Sequence, residues 1–154
     1  MEDNKLQLAI EFKETLKELR RNYFEWIKYS DISFIEIITL MNIRDHGYLD
    51  KRLVMKDYFI TNQSINNVIN RLLKLQILKL DIERTDGHNK IYALTEKGEE
   101  YLNSSIFQVA KIEEAVAKKI ASEELKEVIR IYNLINEVIV ETNEDFKNIS
   151  ETNI

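Results

Sequence analysis

The sequence of 154 residues contains no cysteine and no proline, and it has only three glycines and two histidines. Without cysteine the chain can form no disulfide, no thiolate nucleophile and no sulfur-ligated zinc site. The scarcity of proline and glycine leaves few forced breaks and favours helices. Glu36, Asp45 and His46 show no metal-ligand spacing, so we expect no metal and no cofactor.

Long apolar runs are also missing, since no stretch approaches the roughly 18 residues of a membrane span. The N-terminal residues are charged throughout and lack the apolar stretch and cleavage site of a secretory signal. We therefore expect a cytoplasmic protein without membrane contact. A nucleophile with its base, paired carboxylates and a phosphate-binding glycine loop are not visible either, so we do not expect an enzyme.

The charge is unevenly distributed along the chain. The net charge is −5, but residues 51–90 carry 8 basic and 4 acidic side chains, while the segments on both sides are acidic. Charges separated by more than a Debye length of about 8 to 10 Å are largely screened from each other. The overall acidity argues against a nucleic-acid partner, whereas the basic excess argues for one at residues 51–90.

Apolar residues at helical spacing predict four helices in the first half of the chain. The first covers about residues 4–29, the second runs from a cap at Asp31 or Ser33 to Gly47, the third covers about residues 51–59, and the fourth runs from Thr61 or Asn62 to about residue 76.

The fourth predicted helix has two different faces. Its core-facing stripe is Ile65, Val68, Ile69, Leu72 and Leu75. Asparagine is a poor helix former, but Asn and Gln amides can pair with adenine in a bidentate fashion in the major groove. We expect this face to read DNA; the alternative is a merely solvated polar face. The polar residues are Asn62, Gln63, Ser64, Asn66, Asn67, Asn70, Arg71 and Lys74.

A β-hairpin is predicted directly after this helix. Apolar residues alternate with charged ones at Leu78, Leu80 and Ile82, which predicts a half-buried strand. Asp86-Gly87 marks a tight turn before the return strand at residues 90–94. The tip would present its polar residues to phosphates or to a minor groove, unless they are ordinary turn residues. These residues are Arg84, His88, Asn89 and Lys90.

Residues 62–102, above all the sequence Leu94-Thr95-Glu96-Lys97-Gly98 after the charged hairpin, resemble the MarR family of dimeric bacterial transcription regulators. The resemblance implies a mainly α fold with a small β-hairpin wing. A winged helix-turn-helix head at residues 31–98 would bind DNA, with its recognition helix at about residues 62–75 and its wing at about residues 78–94. Residues 1–30 and 99–154 would form the helical dimerisation arm.

The wing departs from the family pattern at one position. The family usually has an Asp-x-Arg element, whose arginine enters the minor groove, but the corresponding residues here are Asp86-Gly87-His88. A neutral His88 would be a weaker probe of the groove than arginine, so we expect Lys90 or Arg84 to take the place of the missing arginine.

The last third of the sequence favours a homodimer. Thr95 can cap a helix to about residue 121 and Ser122 can cap another, and both helices are apolar on more than one side. Such helices need a second subunit to cover them. A two-fold dimer would place its recognition helices one DNA turn apart on a palindromic operator, which we expect to be rich in A·T pairs. The polar tail from about residue 143 is expected to fray.

A crevice between arm and head often holds a small aromatic or anionic effector in MarR proteins. The candidate residues are Tyr23, Trp26, Ile27, Phe34 and Ile38. The alternative is that these side chains only pack the core and the hinge.

The sequence therefore predicts a homodimeric, sequence-specific transcription regulator, most simply a repressor that an effector relieves. The alternative is a helical dimeric protein-interaction module that keeps the winged-helix fold but no longer binds DNA.

Overall fold

The computed structural model describes the backbone of residues 2–152 and the side chains of residues 4–144. The chain divides into two compact units, Met1–Ala110 and Lys111–Ile154. The helices are α1 (Glu2–Tyr23), α2 (Phe34–His46), α3 (Lys51–Tyr58), α4 (Asn62–Lys74), α5 (Glu96–Ser105), α6 (Phe107–Lys119) and α7 (Ser122–Thr152). The strands are β1 (Leu49–Asp50), β2 (Leu78–Leu80) and β3 (Ile91–Leu94).

The described residues are mainly helical and contain one small antiparallel sheet of order β1-β3-β2, which confirms the predicted fold class. Strands β2 and β3 form the predicted hairpin, with Leu78 opposite Leu94 and Leu80 opposite Tyr92. Strand β1 pairs with the other edge of β3. The sequence did not reveal β1 because two residues are too short for an alternating pattern.

Capping residues fix most of the predicted helix boundaries. Ser33 accepts a hydrogen bond from the Glu36 amide at the start of α2, and Gly47 ends that helix with a left-handed φ of +77°. Thr61 caps α4 and Thr95 caps α5 in the same way as Ser33. The first helix is shorter than predicted, because α1 ends at Tyr23 and a 3₁₀ turn follows at Glu25–Tyr29.

The prediction of a single helix from Thr95 to about residue 121 is wrong in one respect. The chain breaks at Ile106 and forms two helices, α5 and α6. Ile106 is buried together with Leu102 and Val109 around Leu40 of α2. The break allows side chains from both helices to pack on the same residue.

The main core of the first unit lies between α2, α3, α4 and the sheet. Its buried members are Ile38, Ile43, Leu49, Val54, Ile65, Val68, Ile69, Leu72, Ile77 and Leu78. Four of these side chains come from α4, as the helical spacing predicted. One face of α4 is therefore fixed in the core, and the opposite face remains at the surface.

Three residues predicted as core-facing, Leu75, Leu80 and Ile82, lie at the surface instead, and Leu80 is 43% exposed. Leu75 is 40% exposed because α4 ends at Lys74 and Leu75 already belongs to its C-cap. Ile82 is 80% exposed because β2 ends at Leu80, and the carboxylate and carbonyl of Asp81 then accept backbone hydrogen bonds that form a turn. The alternation of the predicted strand therefore holds only at Leu78.

The second unit contains the end of α6 and the long helix α7. Many apolar side chains of α7 are exposed: Val128, Ile129, Ile131, Tyr132, Leu134, Val138, Ile139 and Val140. The backbone of the tail that was expected to fray is helical as far as Thr152. Asn153 and Ile154 lie outside the described residues.

Candidate nucleic-acid interface

The polar residues predicted to read DNA lie together on the outer side of α4. We call them the reading face: Asn62, Gln63, Ser64, Asn66, Asn67, Asn70, Arg71 and Lys74. All are exposed except Ser64 and Asn66, which are partly buried. Ser64 takes part in the N-cap of α4, because its amide donates to Oγ1 of the capping residue Thr61 (3.2 Å) and its hydroxyl accepts from the same threonine (2.9 Å).

Lys51 of α3 contacts the reading face, which no sequence pattern had indicated. Its ammonium group donates to Asn62 Oδ1 at 2.9 Å and to Asn66 Oδ1 at 3.1 Å. Asn66 Nδ2 also donates to Asn62 Oδ1 at 3.3 Å. The first residue of α3 is thereby linked to the first two turns of α4.

Arg71 is tied to the interior by a buried carboxylate. Arg71 Nη1 donates to Oε2 of Glu36 on α2, and the Tyr101 hydroxyl on α5 donates to Oε1 of the same residue at 2.5 Å. Glu36 is 1% exposed, whereas the Arg71 side chain is 46% exposed. A buried carboxylate needs such partners, so Arg71 contributes to the stability of the head whatever it does at the surface.

The Thr95-Glu96-Lys97-Gly98 sequence fixes the C-terminal end of α4. Thr95 Oγ1 donates to the Gln76 carbonyl at 2.6 Å, and Lys97 Nζ donates to the Leu75 carbonyl at 2.8 Å. A Cβ at Gly98 would overlap the Ile77 carbonyl oxygen, so only glycine allows this close approach. The motif is therefore a structural element that holds the reading face in place.

The wing contains a two-residue turn at its tip. Asp86 and Asn89 exchange backbone hydrogen bonds of 2.8 and 3.3 Å around Gly87 and His88. Gly87 has a φ of +50°, which the first central position of a type II′ turn requires. His88 and Lys90 are exposed at this tip.

The other two predicted wing residues make contacts with the protein itself. Arg84 forms an ion pair of 2.6 Å with Asp81 and lies 5.7 Å from the centre of the Tyr48 ring. Asn89 Nδ2 donates to the Asp50 carboxylate at 3.4 Å. Within the described residues, the side chains of His88 and Lys90 therefore make no such contact, whereas those of Arg84 and Asn89 do.

Ion pairing lowers the effective positive charge of residues 51–90. Arg52 pairs with Asp50 at 2.7 Å, and two further arginines pair with Glu36 and Asp81. The Arg52 hydrogen bond lowers the pKa of Asp50, and the Arg84 hydrogen bond lowers the pKa of Asp81. Counting the charged residues within 51–90 could not show this neutralisation, because two of the carboxylates, Glu36 and Asp50, precede residue 51.

Lysines provide the remaining positive charge. Among residues 4–144, no ion pair joins a carboxylate to Lys51, Lys56, Lys74, Lys79 or Lys90. Two of them are on the predicted interface: Lys74 on the reading face and Lys90 at the wing.

The predicted effector residues do not share a single cavity. Trp26 lines a cavity of about 360 Å³ with Tyr29, Phe107 and Ser105, while Phe34 borders a groove of about 440 Å³ with Lys17, Arg20 and Arg21. Trp26 Nε1 is buried and has no hydrogen-bond partner among the side chains and backbone that the structure describes.

The other three predicted effector residues have different surroundings. Tyr23 packs against the buried side chains of Leu40, Leu102, Ile106 and Val109. Ile27 is partly buried, and Ile38 is 0% exposed. Ile38 therefore offers no surface to a ligand, because the main core encloses it.

Two other kinds of site are absent from the described part of the chain. No helix there is long and apolar enough to cross a membrane. No group of three or more metal-ligating side chains was found there either, and Glu36 of the conceivable metal set is bound to Arg71 and Tyr101.

The sequence analysis missed three residues that are linked to the reading face by hydrogen bonds: Lys51, Glu36 and Tyr101. The contacts that they make join residues 11 to 65 positions apart. No local pattern reveals pairs of this separation. The signal that the sequence offered is a charged residue, Glu36, between two isoleucines in an apolar helix.

No family model and no curated protein sequence matches the chain. Solved structures do match its fold. A MarR family regulator from Neisseria meningitidis has a TM-score of 0.74 at 13% identity, covering 90% of this chain and 97% of that one. Staphylococcus aureus MarR in complex with salicylate and kanamycin has a TM-score of 0.68 at 20% identity, covering 88% and 94%.

A third similar structure is S. aureus MepR in its DNA-binding conformation, with a TM-score of 0.66 at 15% identity, covering 86% of this chain and 98% of that one. These likenesses extend over nearly the full length of each regulator. The chain therefore has the winged-helix fold of the MarR family regulators.

Proposed function

We propose that this protein is a homodimeric, sequence-specific DNA-binding transcription regulator that acts as a repressor in the cytoplasm. The observation that carries the proposal is the reading face itself. Its amides are at the surface of a helix whose other side is fixed in the core. The B-DNA major groove, about 12 Å wide, admits such a helix.

Asn67 and Asn70 are the best candidates for direct base reading. Both are exposed, and neither amide has a hydrogen-bond partner within the described residues. Each amide can therefore offer a donor and an acceptor together, the combination that matches the N7 and N6 atoms of adenine. This supports an operator rich in A·T pairs.

Phosphate contacts would come from lysines rather than arginines. Lys74 is on the reading face and Lys90 is at the wing, and neither has an ion pair among residues 4–144. The wing would use Lys90 and His88 at the backbone or the minor groove. Arg84 and Asn89 are weaker candidates, because they already bind Asp81 and Asp50.

Exposed apolar helices support the homodimer. Four large apolar side chains of α1 are exposed: Leu6, Leu8, Ile10 and Leu19. Eight more are exposed along α7. Apolar surface on this scale is typical of an interface between subunits. A two-fold dimer would bind two half-sites about 34 Å apart on a palindromic operator.

A small aromatic effector with a hydrogen-bond acceptor fits the Trp26 cavity. Such a ligand would pack against aromatic rings and accept a hydrogen bond from Trp26 Nε1, which makes none within the described residues. Similar folds have been solved with 4-hydroxyphenylacetate bound to NadR, and 6-hydroxynicotinic acid regulates DNA binding by Bordetella bronchiseptica BpsR. Effector binding would relieve repression by favouring a conformation with lower DNA affinity.

The proposal is tested by binding to duplexes taken from the DNA that flanks the protein's own gene. We expect one duplex to bind at least a thousand-fold more tightly than a shuffled duplex, with affinity falling steeply as salt rises. Equal, weak binding to all duplexes would contradict sequence-specific regulation.

A dimeric protein-interaction module is the second candidate. The net charge of −5 and the three ion-paired arginines of residues 51–90 favour it. A dimer that binds no duplex even at low salt would support this module over the regulator.

A further inference from the structure

We infer that Lys51 is a specificity-determining residue of the proposed regulator, because it makes Asn62 and Asn66 present hydrogen-bond donors to DNA. The inference rests on the proposed function and modifies it at the first two turns of α4. There the half-site should prefer guanine, whereas Asn67 and Asn70 should prefer adenine.

The orientation of both amides follows from the chemistry of the lysine. An ammonium group has three N–H donors and no acceptor. The amide atoms that face Lys51 Nζ at 2.9 and 3.1 Å must therefore be the oxygens of Asn62 and Asn66. The NH₂ groups of these amides are correspondingly turned away from the lysine.

The hydrogen-bonding capacity of Asn62 is used unevenly. Its Oδ1 accepts from both Lys51 Nζ and Asn66 Nδ2, so both lone pairs are occupied. Its NH₂ group makes no hydrogen bond within the described residues. Asn62 can therefore donate to DNA but cannot accept from it without breaking a contact to Lys51 or Asn66.

Asn66 is committed in a similar way. One Oδ1 lone pair accepts from Lys51, and one N–H donates to Asn62. The second N–H of Asn66 and the third N–H of Lys51 remain available as donors. The three side chains together form a cluster that offers mainly donors, which we call the Lys51 cluster.

The electrostatics of the cluster strengthen this preference. No carboxylate among residues 4–144 forms an ion pair with Lys51, although the neighbouring Arg52 is paired with Asp50. The uncompensated charge of Lys51 therefore lies beside the start of α4, where the helix dipole is also positive. A surface of donors and positive charge is complementary to hydrogen-bond acceptors.

The Lys51 cluster and an asparagine without protein contacts should prefer different bases, because the base edges differ in their donors and acceptors. Adenine presents one acceptor and one donor in the major groove, whereas guanine presents two acceptors, N7 and O6. An asparagine with a free oxygen suits adenine, and the Lys51 cluster suits guanine. The N-terminal residues of a recognition helix commonly contact base edges, and the Lys51 cluster lies at this end of α4.

The test compares base preferences of variants of the full-length protein. Half-sites are selected from a pool of randomised duplexes for wild type, Lys51→Met, Lys51→Arg and Lys56→Met. Lys56 is the matched control, since it is an exposed lysine on the same helix without an ion pair. Thermal unfolding of each variant verifies that it is folded.

We expect Lys51→Met to free one lone pair on each of the two amide oxygens that accept from the lysine. At one or two adjacent positions the ratio of guanine to adenine should then fall by roughly tenfold or more. Lys51→Arg keeps donors and charge, so it should retain the guanine preference. Lys56→Met should leave the selected sequence unchanged.

Two outcomes overturn the inference. If folded Lys51→Met selects the same bases as wild type, or if wild type selects adenine at these positions, Lys51 does not determine specificity, although the regulator itself stands. If wild type selects no sequence at all, the proposed function fails, and this inference fails with it. A Lys51→Met protein that does not fold leaves Lys51→Arg to decide, since loss of the guanine preference there contradicts the donor argument.

Discussion

Arg71 on the reading face and Glu36 in the interior form an ion pair, with Glu36 only 1% exposed. The pair joins α4 to α2, and the Tyr101 hydroxyl completes the contacts of the carboxylate. Arg71, a residue of the predicted DNA-binding surface, therefore also stabilises the packing of α4 on α2.

Arg71→Ala should destabilise the protein as well as weaken DNA binding. A fully buried pair that loses one partner costs roughly 3 to 5 kcal/mol. Because the Arg71 side chain is 46% exposed, we expect about 2 to 3 kcal/mol. Urea unfolding monitored by circular dichroism measures the loss. Asn70→Ala on the same face is the control and should be at least as stable as wild type, because alanine is the better helix former. Equal midpoints for Arg71→Ala and wild type would refute the structural role.

Gly98→Ala should destabilise the contact between α5 and the end of α4. The added methyl group would overlap the backbone carbonyl of Ile77, which cannot move aside as a flexible side chain could. We expect a loss of about 1 to 3 kcal/mol in urea unfolding. Glu100→Ala, an exposed change in the same helix, should have an effect close to zero. A Gly98→Ala protein as stable as this control would show that the close approach is not required.

Asp50→Asn should lower stability in a pH-dependent way. Asparagine can still cap α3, but it loses the ion pair with Arg52, which we expect to cost about 1 kcal/mol at pH 7. Arg52 lowers the pKa of Asp50 below the ordinary 3.8, so this stabilisation is present above that value and disappears as the pH falls through the lowered pKa. Unfolding at pH 7 and pH 3 should show the difference shrinking. A gap that stays constant, or one shared by the exposed Asp57→Asn, would contradict the assignment.

Ile139→Glu should weaken the homodimer. Ile139 is an exposed apolar residue of α7, and a carboxylate at an apolar interface would lose its hydration. Sedimentation equilibrium should show that the dissociation constant of the dimer rises by about tenfold or more, and operator affinity should fall in parallel. Glu141→Gln on the same helix is the control. If wild type sediments as a monomer, or if Ile139→Glu dimerises like wild type, α7 is not the dimer interface.

The local parts of the fold could be predicted from the sequence. The spacing of Ile65 and Leu72 gave the buried side of α4, and Thr61 gave its start. Gly47 and Asp86-Gly87 marked a helix end and a turn, because each feature depends on residues adjacent in sequence.

Contacts between distant residues could not be predicted. Glu36 meets Arg71 across 35 positions and Tyr101 across 65, so charge counting by segment overestimated the positive charge available to DNA. The carboxylate, not the local sequence, determines where the Arg71 guanidinium lies. The same holds for Lys51, whose contacts with Asn62 and Asn66 depend on how α3 packs against α4.

The most direct measurement is the affinity of Asn67→Ala for the selected operator and for a shuffled duplex, with Asn103→Ala, an exposed change on α5, as the control. Loss of a bidentate amide should weaken operator binding by about 1 to 3 kcal/mol, leave shuffled-duplex binding unchanged and leave the protein folded. Asn103→Ala should bind like wild type. Operator binding by Asn67→Ala that equals wild type would contradict the claim that the outer side of α4 reads DNA.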